Sequence, residues 1–200
     1  PLSIAESMTG LKKNYISNVN WSELSSDMPK VFFTIAHNNQ CLFIHYFVEE
    51  QEILAEVKDD NGPVSCDSCV EFFISFDDSP YYYNAEFSCI GKMLFAYRKN
   101  RSEKEVAPLD IISSVRRYSS LGYNNFGKRT GEINWDILVV IPAAAFWHTS
   151  FTSFQGIRAK ANLYKCGDKL TVPHYLSWKK VESDQPNFHL PQYFGELILE

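Results

Sequence analysis

The sequence predicts an all-β protein, an antiparallel β-sandwich with one or two short helices. Short runs of β-branched and aromatic residues recur along the chain, closed by Asn, Asp, Gly and Pro. Inside several runs apolar and polar residues alternate with a period of two, so that one strand face is buried and the other is not. Helix-period stretches are few and short.

Residues 4–13 suit a short helix that Gly10 weakens. Strands are expected at 31–35, closed by His37-Asn38-Asn39, and at 41–48, which is apolar on both faces and reads as central. A strand at 53–57 ends in Asp59-Asp60-Asn61-Gly62-Pro63. Strands at 69–76 and 82–90 flank Asp77-Asp78-Ser79-Pro80 as a hairpin, and 92–97 follows. Residues 108–117 suit a second helix, with Asp110 near its start and Arg116-Arg117 near its end, as the helix dipole favours. Strands at 133–141, 157–164 and 194–199 complete a set of about nine, with a turn or two of helix at 142–147. Residues 98–130 are the least core-like, with Arg98-Lys99-Asn100-Arg101 and 119–131 reading as exposed loop, a long connection of the kind that borders functional surfaces.

The 200 residues fit one domain, expected to span 1–200. A chain of this size buries roughly 70% of its unfolded surface. Its 45% apolar content, with 15 Phe and 11 Tyr, supports a packed interior and excludes disorder. The net charge is −5 without a basic stripe, so no nucleic acid partner is expected. No apolar run approaches the ~20 residues that span a bilayer. Five scattered cysteines argue against a disulfide framework and lean toward a reducing compartment.

The densest polar text is Ala161-Asn162-Leu163-Tyr164-Lys165-Cys166-Gly167-Asp168, followed by Leu176-Ser177-Trp178 and Phe188-His189-Leu190-Pro191. Buried polar groups need partners. Such a segment is therefore a satisfied internal network or a site for a polar ligand. A sugar uses both an aromatic plate and fixed hydrogen-bond partners. Alternation places Val70, Phe72, Ile74 and Phe76 on one face and Asp67, Cys69, Glu71 and Phe73 on the other. It likewise turns Ile157, Ala159, Ala161 and Leu163 to the core and Arg158, Lys160, Asn162 and Tyr164 away from it. The expectation is that the acid row and the base-and-amide row meet beside Trp178. The sugar would stack on Trp178 or Tyr164. Asp67, Glu71, Glu86, Arg158, Asn162 and Lys165 would hold its hydroxyls, with His189 closing the edge. Strict alternation puts Lys165 on the core side unless the strand ends there.

Two other readings stand beside this one. Asp67 and Glu71 are about 13 Å apart along a strand, too far for the about 5–9.5 Å of glycosidase carboxylates. Glu71 and Glu86 lie on adjacent hairpin strands and can approach, which makes a glycoside hydrolase the alternative. The third reading is a structural or partner-binding domain whose Asp67, Glu71, Arg158 and Asn162 pair with one another away from water. Cys66-Asp67-Ser68-Cys69 leads into a strand and has no second CxxC, so neither redox chemistry nor zinc is expected of that motif. The five His show no ligand spacing, and Trp135 and Trp147 read as packing. Asp59-Asp60-Asn61 and Asp77-Asp78 are oxygen-rich turns. Structural calcium is conceivable there, yet turn formation explains them, and no cofactor is expected.

Taken together the motifs resemble a known family. Asp67-Ser68-Cys69-Val70-Glu71-Phe72-Phe73, Tyr82-Tyr83-Asn84-Ala85-Glu86-Phe87, the 161–168 segment, Leu176-Ser177-Trp178 and Phe188-His189-Leu190-Pro191-Gln192-Tyr193-Phe194-Gly195 are similar, in order and over nearly the whole chain, to family 9-like carbohydrate-binding modules. These are single-domain bacterial relatives of sugar-binding modules found on xylanases. The resemblance implies a DOMON-like sandwich of the immunoglobulin or jelly-roll kind. It implies non-catalytic binding of a mono- or oligosaccharide, two Trp clamping the sugar, and structural calcium. The chain departs from the pattern just ahead of Asp67, where Val64-Ser65-Cys66 stands in place of a clamp Trp.

Overall fold

A computed structural model describes residues 2–21, 28–76 and 79–200. The Asp77-Asp78 turn, expected as a hairpin connection and as an oxygen-rich cluster, lies outside the described residues. In chain order the elements are α1 (Leu2–Ser7), β1 (Asn14–Tyr15), β2 (Asn18–Val19), β3 (Lys30–His37), β4 (Cys41–Ala55), β5 (Cys69–Phe76), β6 (Tyr82–Ser88) and β7 (Met93–Arg98). They continue with β8 (Lys104–Val106), α2 (Leu109–Ser114), β9 (Arg116–Ser119), β10 (Phe126–Pro142), β11 (Ile157–Cys166), β12 (Tyr175–Ser177) and β13 (Gly195–Leu199).

Two antiparallel sheets face each other, as the alternation requires. One runs β1-β3-β4-β10-β9; the other runs β2-β12-β11-β5-β6-β7-β8. In the second sheet β11 shares one edge between two partners. β13 pairs Ile157 to Ala161, and β12 pairs Tyr164 to Cys166. Asn162 sits at the fork and fastens it. Its amide nitrogen donates to the Lys179 carbonyl at 2.9 Å and the Tyr193 carbonyl at 3.3 Å, and its oxygen accepts from the Lys179 N–H at 2.9 Å.

The inward residues of both sheets form the main core, including Phe33, Ile44, Tyr46, Phe72, Phe87, Phe95, Trp135, Ile137 and Leu163. Each such side chain contributes about 1.5–3 kcal/mol on burial. A second apolar cluster covers the outer face of the eight-stranded sheet. There Cys69, Phe73, Tyr82, Tyr164 and Cys166 pack under Val181, Phe188 and Phe194 from the segment that returns to β13. Both faces of β5 and β6 are therefore buried, and their sequences read accordingly.

Several boundaries differ from the sequence reading for physical reasons. The expected strands at 41–48 and 53–57 are one strand, because Glu49 to Glu52 stay paired with β10. Two register shifts, between Phe126 and Arg129 and between Thr130 and Ile133, let β10 follow β4 for 17 residues. Part of the stretch read as exposed loop, 119–131, is thus strand. Arg116 and Arg117 belong to β9 and not to a helix end, since α2 stops at Ser114. The β6–β7 turn is made by Gly91 at φ 82°, a left-handed conformation that glycine adopts without strain.

A polar hollow on the outer sheet face

Glu71 on β5 and Glu86 on β6 are directly opposed partners, and Tyr164 on β11 opposes Glu71 from the other side. Directly opposed side chains share one face with Cβ atoms about 4.5–5.5 Å apart. The same register brings Cys166 opposite Cys69. These outward residues form the floor of a hollow of about 80 Å³. Glu71, Glu86, Cys166 and Tyr175 line it from the sheet; Ser65, Arg101, Asp168, Asn187, Phe188 and His189 line it from the surrounding connections.

The floor is held by a short relay. Arg98 Nε donates to Asn84 Oδ1 at 2.7 Å, and Asn84 Nδ2 donates to Glu86 Oε1 at 3.1 Å. Cys166 Sγ donates to Glu71 Oε1 at 2.9 Å. Among the described residues, the second oxygen of neither carboxylate accepts a hydrogen bond. Burial raises the Glu71 carboxyl well above the usual range, and the neighbouring Glu86 pushes it further. Burial raises Glu86 too, while Asn84 and Arg98 pull it back. Buried carboxyl groups with an oxygen to spare are set to exchange hydrogen bonds with hydroxyls, accepting where ionised and donating where protonated.

The rim is aromatic and polar. Trp21 packs edge-on to Tyr175 at 6.0 Å and tilted against Phe188 at 5.9 Å. Its φ of 59° is unusual for a non-glycine residue, and its indole N–H donates to the Ser183 carbonyl at 2.5 Å. His189 Nδ1 meets the Tyr82 hydroxyl at 3.0 Å, and burial depresses this imidazole to about 3. On the opposite rim Ser65 Oγ donates to Asp168 Oδ2 at 3.0 Å.

Of the sequence-predicted residues, the hollow gathers Glu71, Glu86 and His189. The expected meeting of an acid row with an Arg158–Asn162 row beside Trp178 is corrected. Asp67 turns its carboxylate onto the backbone N–H groups of Glu56 and Val57 at 2.9 and 3.0 Å, because it precedes β5 and closes the turn after β4. Arg158 lies far along β11, exposed and paired with Glu196 at 3.1 Å. Asn162 is consumed by the fork. Tyr164 is not free for stacking, since Phe188 covers its ring at 4.1 Å with 17° between the planes. Lys165 faces inward, as strict alternation requires, and pairs with Glu50 at 2.8 Å. Trp178 packs edge-on to Phe33 at 5.9 Å, with Lys179 Nζ 4.1 Å from its ring centre. The mutual pairing of Asp67, Glu71, Arg158 and Asn162 is corrected as well, since each has a different partner. Arg101, Tyr175 and Asn187 carry no sequence signal: Arg101 and Asn187 lie on loops without periodicity, and Tyr175 opens the three-residue strand β12 opposite Cys166. Arg98, expected in an exposed loop, ends β7 and is buried, because its guanidinium turns onto Asn84.

A sequence profile described as carbohydrate-binding family 9 matches residues 3–199. No curated protein matches the chain. Among solved structures, a Bacteroides uniformis protein provisionally described as carbohydrate-binding is 38% identical with a TM-score of 0.94, covering 100% of this chain and 90% of that one. A family 9 module from Caldicellulosiruptor kristjanssonii, solved with glucose, superposes with a TM-score of 0.57 at 11% identity over 98% of this chain and 87% of its own. The structure with cellotriose gives 0.60 at 10% identity over 98% and 85%. At those identities the likeness is one of fold.

Proposed function

The chain belongs to carbohydrate-binding family 9, and from that premise we propose that it binds a saccharide, without cleaving it, in the hollow over Glu71 and Glu86. The observation that carries this reading is the pair of buried carboxylates, each with one oxygen committed to the protein and one without a hydrogen bond among the described residues. Sugar hydroxyls would donate to those oxygens. Asn187 and Arg101 supply polar contacts at the rim, and Tyr175 and Phe188, backed by Trp21, supply apolar surface for the ring's C–H face.

At about 80 Å³ the hollow is well below the ~300 Å³ lower end of ligand pockets. It suits one edge of a terminal sugar rather than the middle of a chain. A glycosidase must lay a scissile bond between its two carboxyl groups with a ring on either side, and a hollow of about 80 Å³ does not hold two rings. The Asn84–Arg98 relay also fixes Glu86 as an acceptor.

Isothermal titration calorimetry with glucose, cellotriose and a panel of other mono- and oligosaccharides tests the reading. Binding in the micromolar to millimolar range is expected, about −4 to −8 kcal/mol. Asn187→Ala should weaken it and Trp178→Ala should not. No heat of binding for any saccharide, or loss on Trp178→Ala with Asn187→Ala unchanged, would remove this site. Release of product from the saccharides on prolonged incubation would replace binding by hydrolysis.

A further inference from the structure

Cys69 and Cys166 stand directly opposite each other on β5 and β11, and Glu71 lies two residues beyond Cys69 on the same face. The two sulfurs and a Glu71 carboxylate oxygen all lie within 4.8 Å of one another, and all three residues are buried. Cys166 Sγ already points at Glu71 Oε1, 2.9 Å away. We propose that Cys69, Glu71 and Cys166 form a site for a thiophilic divalent cation, with zinc the ion that fits them best. The cysteine that fails to find a metal partner along the chain, in Cys66-Asp67-Ser68-Cys69, finds one across the strands.

The ligand chemistry selects the ion. Zinc takes thiolate at about 2.3 Å and carboxylate at about 2.0–2.2 Å in a tetrahedron, which sets its ligand atoms roughly 3.5–3.8 Å apart. A trio already within 4.8 Å reaches that spacing by moving about 1 Å. Calcium and magnesium require six or more oxygens and are not served by two sulfurs. Three protein ligands leave one of zinc's four positions. Cys166 and Glu71 line the hollow, which supplies an entry path and room for a water in that position.

The charges are manageable. As each S–Zn bond forms, the thiol proton passes to solvent. Two thiolates and a carboxylate bring three negative charges, of which zinc cancels two. Arg98, whose charge favours ionised Glu71, and Arg101 at the rim offset the remainder. Without metal, the Cys166 thiol donates to Glu71, and the two thiols, in contact with each other and buried, are held toward the protonated form. The metal site shares Glu71 and the hollow with the saccharide reading but does not require a sugar.

The test is a titration of the reduced, chelator-treated full chain with Co²⁺ and then Zn²⁺. One equivalent of Co²⁺ should give a near-ultraviolet thiolate-to-cobalt charge-transfer band with intense tetrahedral d–d absorption, and Zn²⁺ should abolish both. Changing an outer partner of a metal ligand costs ~10–100-fold in affinity. Removing a ligand, as in Cys166→Ser or Glu71→Gln, should cost more than about 100-fold. Cys41→Ser, on the other sheet, should change nothing. Thermal unfolding checks that each variant folds, and if the buried variants do not, the wild-type spectrum decides alone. A wild type without the charge-transfer band, one with weak octahedral cobalt absorption, or a band lost in Cys41→Ser but kept in Cys166→Ser would overturn the proposal. Saccharide calorimetry on the chelated protein separates the two readings, because sugar binding there survives whatever the metal result.

Discussion

Lys165 and Cys166 are neighbours in β11, yet they stand in two polar clusters of opposite character. Lys165 faces the core and is fully buried. Its ammonium donates to the Cys166 carbonyl at 3.0 Å, meets His174 Nε2 at 2.9 Å, and forms an ion pair with Glu50 at 2.8 Å. Glu50 also accepts from the Trp135 indole at 2.7 Å. Glu50 Oε2 is ion-paired with Lys165 but accepts no hydrogen bond among the described residues, and Glu50 and His174 border a separate hollow of about 310 Å³. Cys166 faces outward, into a floor where Glu71 and Glu86 each keep an oxygen without a hydrogen bond among the described residues, and where a hollow opens above them. Both clusters bury charge. The inner one pairs its charges among its own members and joins the two sheets; the outer one turns two carboxyl groups toward a hollow. Satisfaction, and not the density of polar residues in the sequence, separates structure from site.

That contrast breaks first at Lys165. Lys165→Met strands Glu50 and should cost about 3–5 kcal/mol of folding stability while leaving saccharide affinity unchanged in the folded protein. Chemical denaturation measures it, and a loss below about 1 kcal/mol would mean the inner cluster is not structural. Adding Glu50→Leu should recover most of the loss.

Next in size is the response to acid. A histidine depressed to about 3 in the folded state favours folding above its ordinary value of 6.5 and gives up that contribution as pH falls toward 3. For His189 this amounts to about 2 kcal/mol by pH 5. The raised Glu71 and Glu86 act in the opposite sense, losing stability as pH rises through their raised values, so the comparison of wild type with His189→Gln isolates the imidazole. Unfolding curves between pH 7 and 5 should converge; parallel curves would contradict a buried neutral His189.

Glu86→Gln sharpens the outer side of the comparison. It keeps the shape and one acceptor but removes the charge, and should weaken saccharide binding about tenfold, about 1.4 kcal/mol. Stability should stay or rise, because burial disfavours the ionised carboxyl. A variant that binds normally would take Glu86 out of the site.

The smallest effect belongs to Arg158→Ala. Its ion pair with Glu196 is exposed on both sides and should contribute under about 1 kcal/mol, with no change in binding. A large loss of affinity would restore the row of bases along β11 as ligand contacts.

The sandwich was legible because alternation in β5 and β11 reports burial directly. Val70, Phe72 and Ile74 face inward, and Glu71 outward, as their spacing demands. The same rule placed Lys165 inside. Alternation says nothing about what lies above an outward face. Phe188 comes from 24 residues beyond Tyr164 to cover its ring and accept its hydroxyl, and no local pattern announces that. Trp178 looked like a stacking plate because indoles often are, yet its neighbour Phe33 belongs to the opposite sheet. Asp67 and Asn162 are polar in sequence for backbone reasons, one closing a turn and one fastening a fork. Loop residues such as Arg101 and Asn187 become site residues only when the fold brings their loops over Glu71 and Glu86.

Chemical-shift mapping of the isotope-labelled protein, titrated with the saccharide that calorimetry identifies, tests the central claim most directly. The largest backbone shifts should cluster at Glu86, Cys166, Asp168, Asn187 and His189. Shifts centred on Trp178 and Arg158, or spread over the outer face of β3 and β4, would contradict it.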